Sequence, residues 1–171
     1  AAMEEGRFDI VLAAAGFLPG PGSQGGAFAE ERVIMREPLV WVQVRNSTLN
    51  LRQDPLPLVL FAAPCAFRRA AGEALEKAGR AWESVYSSAS LASIQAAVQA
   101  DLGISVFARS SVQPGMKILG PRQGLPALPD SVIALYRRKS AAEPLTSTLA
   151  GFITQSVARW QEQPARQRAE A

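Results

Sequence analysis

The chain of 171 residues contains no histidine, one cysteine (Cys65) and three lysines (Lys77, Lys117 and Lys139). Without histidine there is no serine–histidine or cysteine–histidine nucleophile pair, and the commonest metal ligand is missing. The acids stand singly or as adjacent pairs, Glu4-Glu5 and Glu30-Glu31, without calcium-loop or zinc spacing. No metal, no cofactor and no enzymatic chemistry are therefore expected. A single cysteine excludes an internal disulfide framework, which agrees with a reducing compartment. No run reaches the roughly 18 consecutive apolar residues of a membrane span, and no basic segment followed by an apolar signal core opens the chain. The expected compartment is the cytoplasm, with no membrane partner. The net charge of +3 is modest. Its arginines, Arg68-Arg69, Arg137-Arg138, Arg166 and Arg168, are interspersed with acids and form no concentrated basic stripe, so this segment is not expected to touch DNA.

What is present is a core. Hydrophobic residues make up 48% of the chain, enough for one domain or two small lobes. The most informative stretch is 86–107, which reads as strand end, serine-rich turn, capped helix, glycine stop and second strand. Ser90 suits an N-cap, Leu91, Ile94, Val98 and Leu102 recur at helical spacing, and Gly103 can end the helix in the left-handed conformation. A hydroxyl-rich turn at a helix start presents free N–H groups and the positive end of the helix dipole, which suits a carboxylate, phosphate or other polar small molecule. Binding fits this layout better than bond breaking.

Around that stretch, strands are predicted at 8–13, 38–44, 56–61, 82–86 and 131–136, and a helix over 67–78 ending at Gly79. A last helix starts near Pro144 and turns Leu145, Leu149, Phe152, Ile153, Val157 and Trp160 inward, with a polar tail from Gln161. The strand–helix alternation predicts a parallel α/β sheet with right-handed crossovers. Residues 1–6 resemble the last turns of a helix. The loop 16–26 contains Gly20-Pro21-Gly22-Ser23-Gln24-Gly25, which spells a dinucleotide fingerprint, but Pro19 and Pro21 each remove an amide donor and a surface loop is the better reading. Trp41, Trp82 and Trp160 are read as core residues. Cys65, just before a helix, is read as a small pocket-lining residue rather than a reactive thiolate.

In order and wording these motifs resemble the effector-binding domain of LysR-type transcription regulators, which has the type 2 periplasmic-binding-protein fold. The likeness runs through Gly6-Arg7-Phe8-Asp9-Ile10-Val11-Leu12, through Glu37-Pro38-Leu39-Val40-Trp41-Val42, through 56–79, and most specifically through 90–107 with Ala100-Asp101-Leu102-Gly103-Ile104-Ser105-Val106. It continues from Gly124-Leu125-Pro126-Ala127-Leu128-Pro129 to Arg137-Arg138. The resemblance implies two Rossmann-like α/β lobes joined by two crossing strands, lobe I from 1–41 and 108–171 and lobe II from 42–107, with the effector in the cleft. The family's first strand–helix unit and its winged helix-turn-helix would precede this segment, and both are expected to be missing from it. Asp101, where the family more often has a small residue, is read as a solvent-facing helix end.

Position by position, the family's pocket falls on Ala63, Pro64, Cys65, Ala66 and Phe67, on Ser87, Ser88 and Ser90, and near Ala14 and Ala15. The serine hydroxyls and helix-start amides would hold the polar end of the effector while Phe67 flanks its body. Arg36 or Arg68 could pair a carboxylate, although each is read as a solvated surface charge. The implied partners are a small carboxylate or other polar metabolite, a second copy in a homodimer, and a homotetramer in the full-length protein. DNA would be met through the absent N-terminal domain alone. The alternatives are a solute-binding protein of a transporter with the same fold, and a transferase or dehydratase on the same scaffold.

Overall fold

The computed structural model describes residues 8–15, 28–138 and 144–162, with the side chains of 28–30 excepted. The helix end expected over 1–6, the glycine-rich pattern at 20–25, and all but the start of the polar tail lie outside the described residues. The elements in chain order are β1 (Ile10–Ala14), β2 (Phe28–Val44), β3 (Leu56–Phe61), α1 (Ala66–Lys77), β4 (Trp82–Ser88), α2 (Leu91–Gln99), β5 (Ser105–Ala108), β6 (Met116–Leu119), β7 (Asp130–Arg138) and α3 (Leu145–Glu162). Short 3-10 turns occupy Arg109–Ser111 and Pro121–Gln123. The chain divides into two compact units, Ala1–Arg36 with Ser131–Ala171 as the first and Glu37–Asp130 as the second. The lobe divisions implied by the resemblance fall after Trp41 and Phe107. The packing divisions differ because β5 and β6 both pair with β2 over 39–44 and stay with it.

The second unit is organised by β3. Its residues Leu56 to Leu60 are all buried, and their alternation deals side chains to two clusters. Leu56, Leu58 and Leu60 join Ala71 and Leu75 of α1, while Val59 joins Ile94, Ala97 and Val98 of α2. A near-continuous apolar run is what a strand covered by helices on both faces requires. Trp41 is buried with its indole N–H donating to the Pro126 carbonyl at 2.8 Å, and Trp82 packs half-buried against the α1 cluster. The expectation of a parallel sheet holds in part. β4 pairs parallel with β3, and Ile104 bridges parallel to Leu58. Yet β5 and β6 run antiparallel to β2, and in the first unit β7 runs antiparallel to β1. The parallel pair forms a two-stranded sheet of its own, apart from the five-stranded sheet that holds β1, β7, β2, β5 and β6.

Three local readings are corrected. The helix α2 ends at Gln99, and the left-handed residue is Asp101 with φ 59 rather than Gly103. Gly103 is needed for close approach instead, because a Cβ there would lie 2.7 Å from the Pro57 carbonyl oxygen. Leu91 and Leu102 are exposed, so the inward face of α2 is Ile94, Ala97 and Val98. In α3, Leu145, Leu149 and Phe152 face solvent and the buried positions are Thr146 and Ala150. Its inward face is rotated by about one residue from the largest apolar side chains, since Ile153 and Val157 are half-buried.

Asp101 is not a passive helix end. Its Oδ2 accepts from the Thr48 amide at 2.8 Å and from the Thr48 hydroxyl at 3.1 Å, fastening the loop before β3 to the end of α2. Burial works to raise its carboxyl, but hydrogen bonds from Ser47 and Thr48, with the Lys117 charge, outweigh it and hold the group below its ordinary 3.8. A depressed folded value means this stabilisation is complete above the unfolded carboxylate range and is lost as pH falls through the folded one. Asp101→Ala is expected to cost about 1–2 kcal/mol at neutral pH by urea unfolding. Asp101→Gly should cost less because glycine is at ease at positive φ. The gap between wild type and Asp101→Ala should close on acidification below about pH 4; a gap unchanged at low pH contradicts the assignment.

Candidate functional site

The parallel register of β3 and β4 sets Phe61 opposite Ser88, and the Ala62 amide donates to the Ser88 carbonyl at 3.0 Å. Both strands therefore end at the same edge of the second unit, and each is followed within a few residues by a helix start. The turn 62–65 leads into α1 and the turn 89–90 into α2. At α2, the Ser90 Oγ accepts from the Ser93 amide at 3.4 Å, and the Ser88 Oγ accepts from the Ser90 amide at 3.1 Å. At α1 the N-cap is Cys65, in extended backbone and with no side-chain cap bond. Among the described residues, the amides of Ala66, Phe67, Arg68, Leu91 and Ala92 have no acceptor. Five free N–H groups and two helix dipoles thus present positive potential along one edge.

The structure brings eight of the nine expected site residues onto this edge. Ala63 and Pro64 are exposed, Cys65, Ala66 and Phe67 half-buried, Ser87 and Ser90 exposed, and Ser88 half-buried. Ala14 belongs to the other unit, where it pairs with Ile133 and its carbonyl accepts from the Tyr136 hydroxyl at 3.4 Å. The Ser88 and Ser90 oxygens, two of those expected to hold a ligand, are used as local caps, which leaves each hydroxyl its proton to donate. The Phe67 ring stands edge-on to Phe61 at 5.9 Å between centroids and packs against the α1 core cluster, so part of its surface is already spent.

Arg68 is the residue the sequence undervalued. Far from being fully solvated, it is half-buried and its guanidinium donates to the Phe61 carbonyl at 3.3 Å, at the end of β3. That places a permanent cation beside the free amides. The signal available was its position in the first turn of α1, where a side chain can fold back over the preceding strand end. Arg36 is exposed and lies in the first unit. Among the described residues no group of three or more carboxylates and cysteine gathers to hold a metal, and no helix is long and apolar enough to cross a membrane.

Comparison with known proteins agrees with the mixed α/β fold and decides the family. The model of the LysR substrate binding domain matches residues 1–158. The chain belongs to this family. It is a LysR effector-binding regulatory domain, and the family is not one of enzymes. Over 100 residues the domain is 34% identical to the HTH-type transcriptional regulator PecT of Dickeya dadantii, covering 58% of this chain and 32% of PecT. The LysR domain thus spans about a third of that relative. Its fold matches the full-length structure of HypT from Salmonella typhimurium, a hypochlorite-specific LysR-type regulator, with a TM-score of 0.73 at 15% identity over 92% of this chain and 55% of HypT. It also matches the regulatory domain of CcmR from Synechocystis in complex with 2-PG, with a TM-score of 0.67 at 13% identity over 91% of this chain and 76% of that one.

Proposed function

We propose that this LysR domain senses a small anionic or polar metabolite at the edge formed by the starts of α1 and α2. The observation that carries the reading is the Phe61–Ser88 register, which sets two helix starts with five free amides side by side and adds the Arg68 guanidinium. Such an array stabilises a carboxylate or phosphate through charge-assisted hydrogen bonds and has no nucleophile–base pair with which to transform it. The contacts come from Ala63, Pro64, Cys65, Ala66 and Phe67 on one turn and from Ser87, Ser88 and Ser90 on the other. CcmR, in complex with 2-PG, supports a small molecule as the ligand. In the whole protein, effector binding favours one conformation of the regulatory domain, and the bias is passed through a homodimer or homotetramer to a helix-turn-helix domain on DNA. The name of PecT supports that relay, and family membership favours it over the transporter reading.

The experiment is a thermal-shift screen of small carboxylates and phosphate esters, together with 2-PG, on the purified protein and on Ser90→Asp. At least one compound is expected to raise the wild-type Tm in a saturable manner and to leave the Tm of Ser90→Asp unmoved. A compound that shifts both proteins equally contradicts the proposed site.

A further inference from the structure

The far end of α1 carries a second feature that the effector reading leaves unused. A cavity of about 620 Å³ opens in the second unit between the loop 49–52, Arg80 and the turn 121–124. Its lining includes three arginines, Arg52, Arg80 and Arg122, and no carboxylate. Arg80 follows the C-terminus of α1, so the cavity is separated from the amide edge by the length of a 12-residue helix, roughly 18 Å at the standard rise.

The three guanidiniums are not equivalent. The Arg80 side chain is 16% exposed and donates to the carbonyls of Leu51 at 2.9 Å, Gln53 at 3.2 Å and Gly124 at 3.4 Å, and to Asp54 Oδ1 at 3.4 Å. Three of its acceptors are neutral, and its carboxylate partner is 56% exposed, so its charge is only partly balanced. Its bonds shape the cavity by tying the loop before β3 to the turn at Gly124. Arg52 and Arg122 are exposed, and among the described residues their side chains have no acceptor. The α1 C-terminus opposes an anion here with about half a charge, which two free guanidiniums and a half-balanced third exceed.

We infer that this cavity is a second ligand site, for a compact, multiply charged oxyanion gripped by Arg52 and Arg122 over the floor set by Arg80. Paired forks match the planar geometry of phosphate and carboxylate oxygens. A volume within the usual range for small-molecule sites favours a metabolite over the backbone of a nucleic acid, which is met by an extended basic stripe. The inference is independent of the effector assignment at the other end of α1.

The test is isothermal titration of the protein with inorganic pyrophosphate and, separately, with citrate, at an ionic strength near 0.15 M to suppress diffuse attraction. One arm reads phosphate and the other carboxylate. One-to-one saturable binding of at least one probe is expected, weakened about tenfold or more in Arg52→Ala and in Arg122→Ala. Both substituted side chains are exposed, so an unchanged Tm in each variant verifies the fold. Arg69→Ala, on the exposed face of α1, should bind as wild type does, and Ser90→Asp should keep the binding that Arg52→Ala and Arg122→Ala weaken. The inference is overturned if neither probe binds saturably, if Arg69→Ala weakens binding as much as the cavity variants do, if Ser90→Asp abolishes it, or if a short DNA duplex competes at lower concentration than either probe.

Discussion

Gly103→Ala is expected to destabilise the protein by about 3 kcal/mol, the cost of forcing a methyl into a filled space plus a lost backbone hydrogen bond. The added Cβ would sit 2.7 Å from the Pro57 oxygen, 3.1 Å from its carbonyl carbon and 3.3 Å from Val59 Cγ2. Backbone cannot step aside as a flexible side chain can. The Pro57 carbonyl accepts from the Ile104 amide at 3.1 Å, and the Ile104 carbonyl accepts from Val59 at 2.8 Å, so moving Pro57 loosens the bridge that fastens the entry to β5 against β3. For a chain of this size the Tm should fall by roughly 6–12 °C. Gly151→Ala supplies the contrast. No heavy atom lies within 4 Å of its would-be Cβ in α3, so there alanine should stabilise by up to about 1 kcal/mol. Equal and small effects at both positions, measured by thermal unfolding, would contradict the packing described at Gly103.

Ser90→Asp should abolish binding of an anionic effector while leaving the fold intact. Serine and aspartate are comparable N-caps, so the carboxylate can accept from the Ser93 amide as the hydroxyl does and also favours the α2 dipole. The helix is kept, and its positive end is neutralised from within. An incoming carboxylate or phosphate then meets a fixed negative charge where it would have found free Leu91 and Ala92 amides. Affinity should drop by at least about a hundredfold, a loss of two charge-assisted hydrogen bonds and the gain of a like charge. Ser90→Ala is the weaker probe because it removes the cap, and any lost affinity is entangled with fraying of α2. A Ser90→Asp variant that folds and binds an anion as wild type does would move the site elsewhere.

Local pattern made much of this chain legible, and long-range pairing made the rest illegible. The run 56–61 coincides with β3 and the 67–78 helix lies within a residue of α1, because a fully buried strand and a small apolar helical face are written in consecutive residues. Ser90 as N-cap is likewise a local signal. The start of β2 at Phe28 is not legible, since its mixed charged and apolar residues form a strand beside β7, where Tyr136 donates to Glu31 across a separation of 105 residues. The roles of Gly103 and Asp101 could not be read for the same reason. One is fixed by the Pro57 backbone, the other by Thr48 at a separation of 53 residues. The orientation of α3 followed small residues, Thr146 and Ala150, against the pull of hydrophobicity. At the candidate site the residue types were legible and their use was not. Ser88 and Ser90 use their oxygens as caps, and Arg68 turns back onto Phe61.

The central claim is that free amides at two adjacent helix starts hold the effector. Its most direct measurement is backbone amide mapping by 15N–1H correlation spectroscopy during titration with whichever carboxylate or phosphate ester raises the Tm. The account predicts that the largest shifts fall on Ala66, Phe67, Arg68, Leu91 and Ala92. Saturable shifts that bypass both helix starts would contradict it.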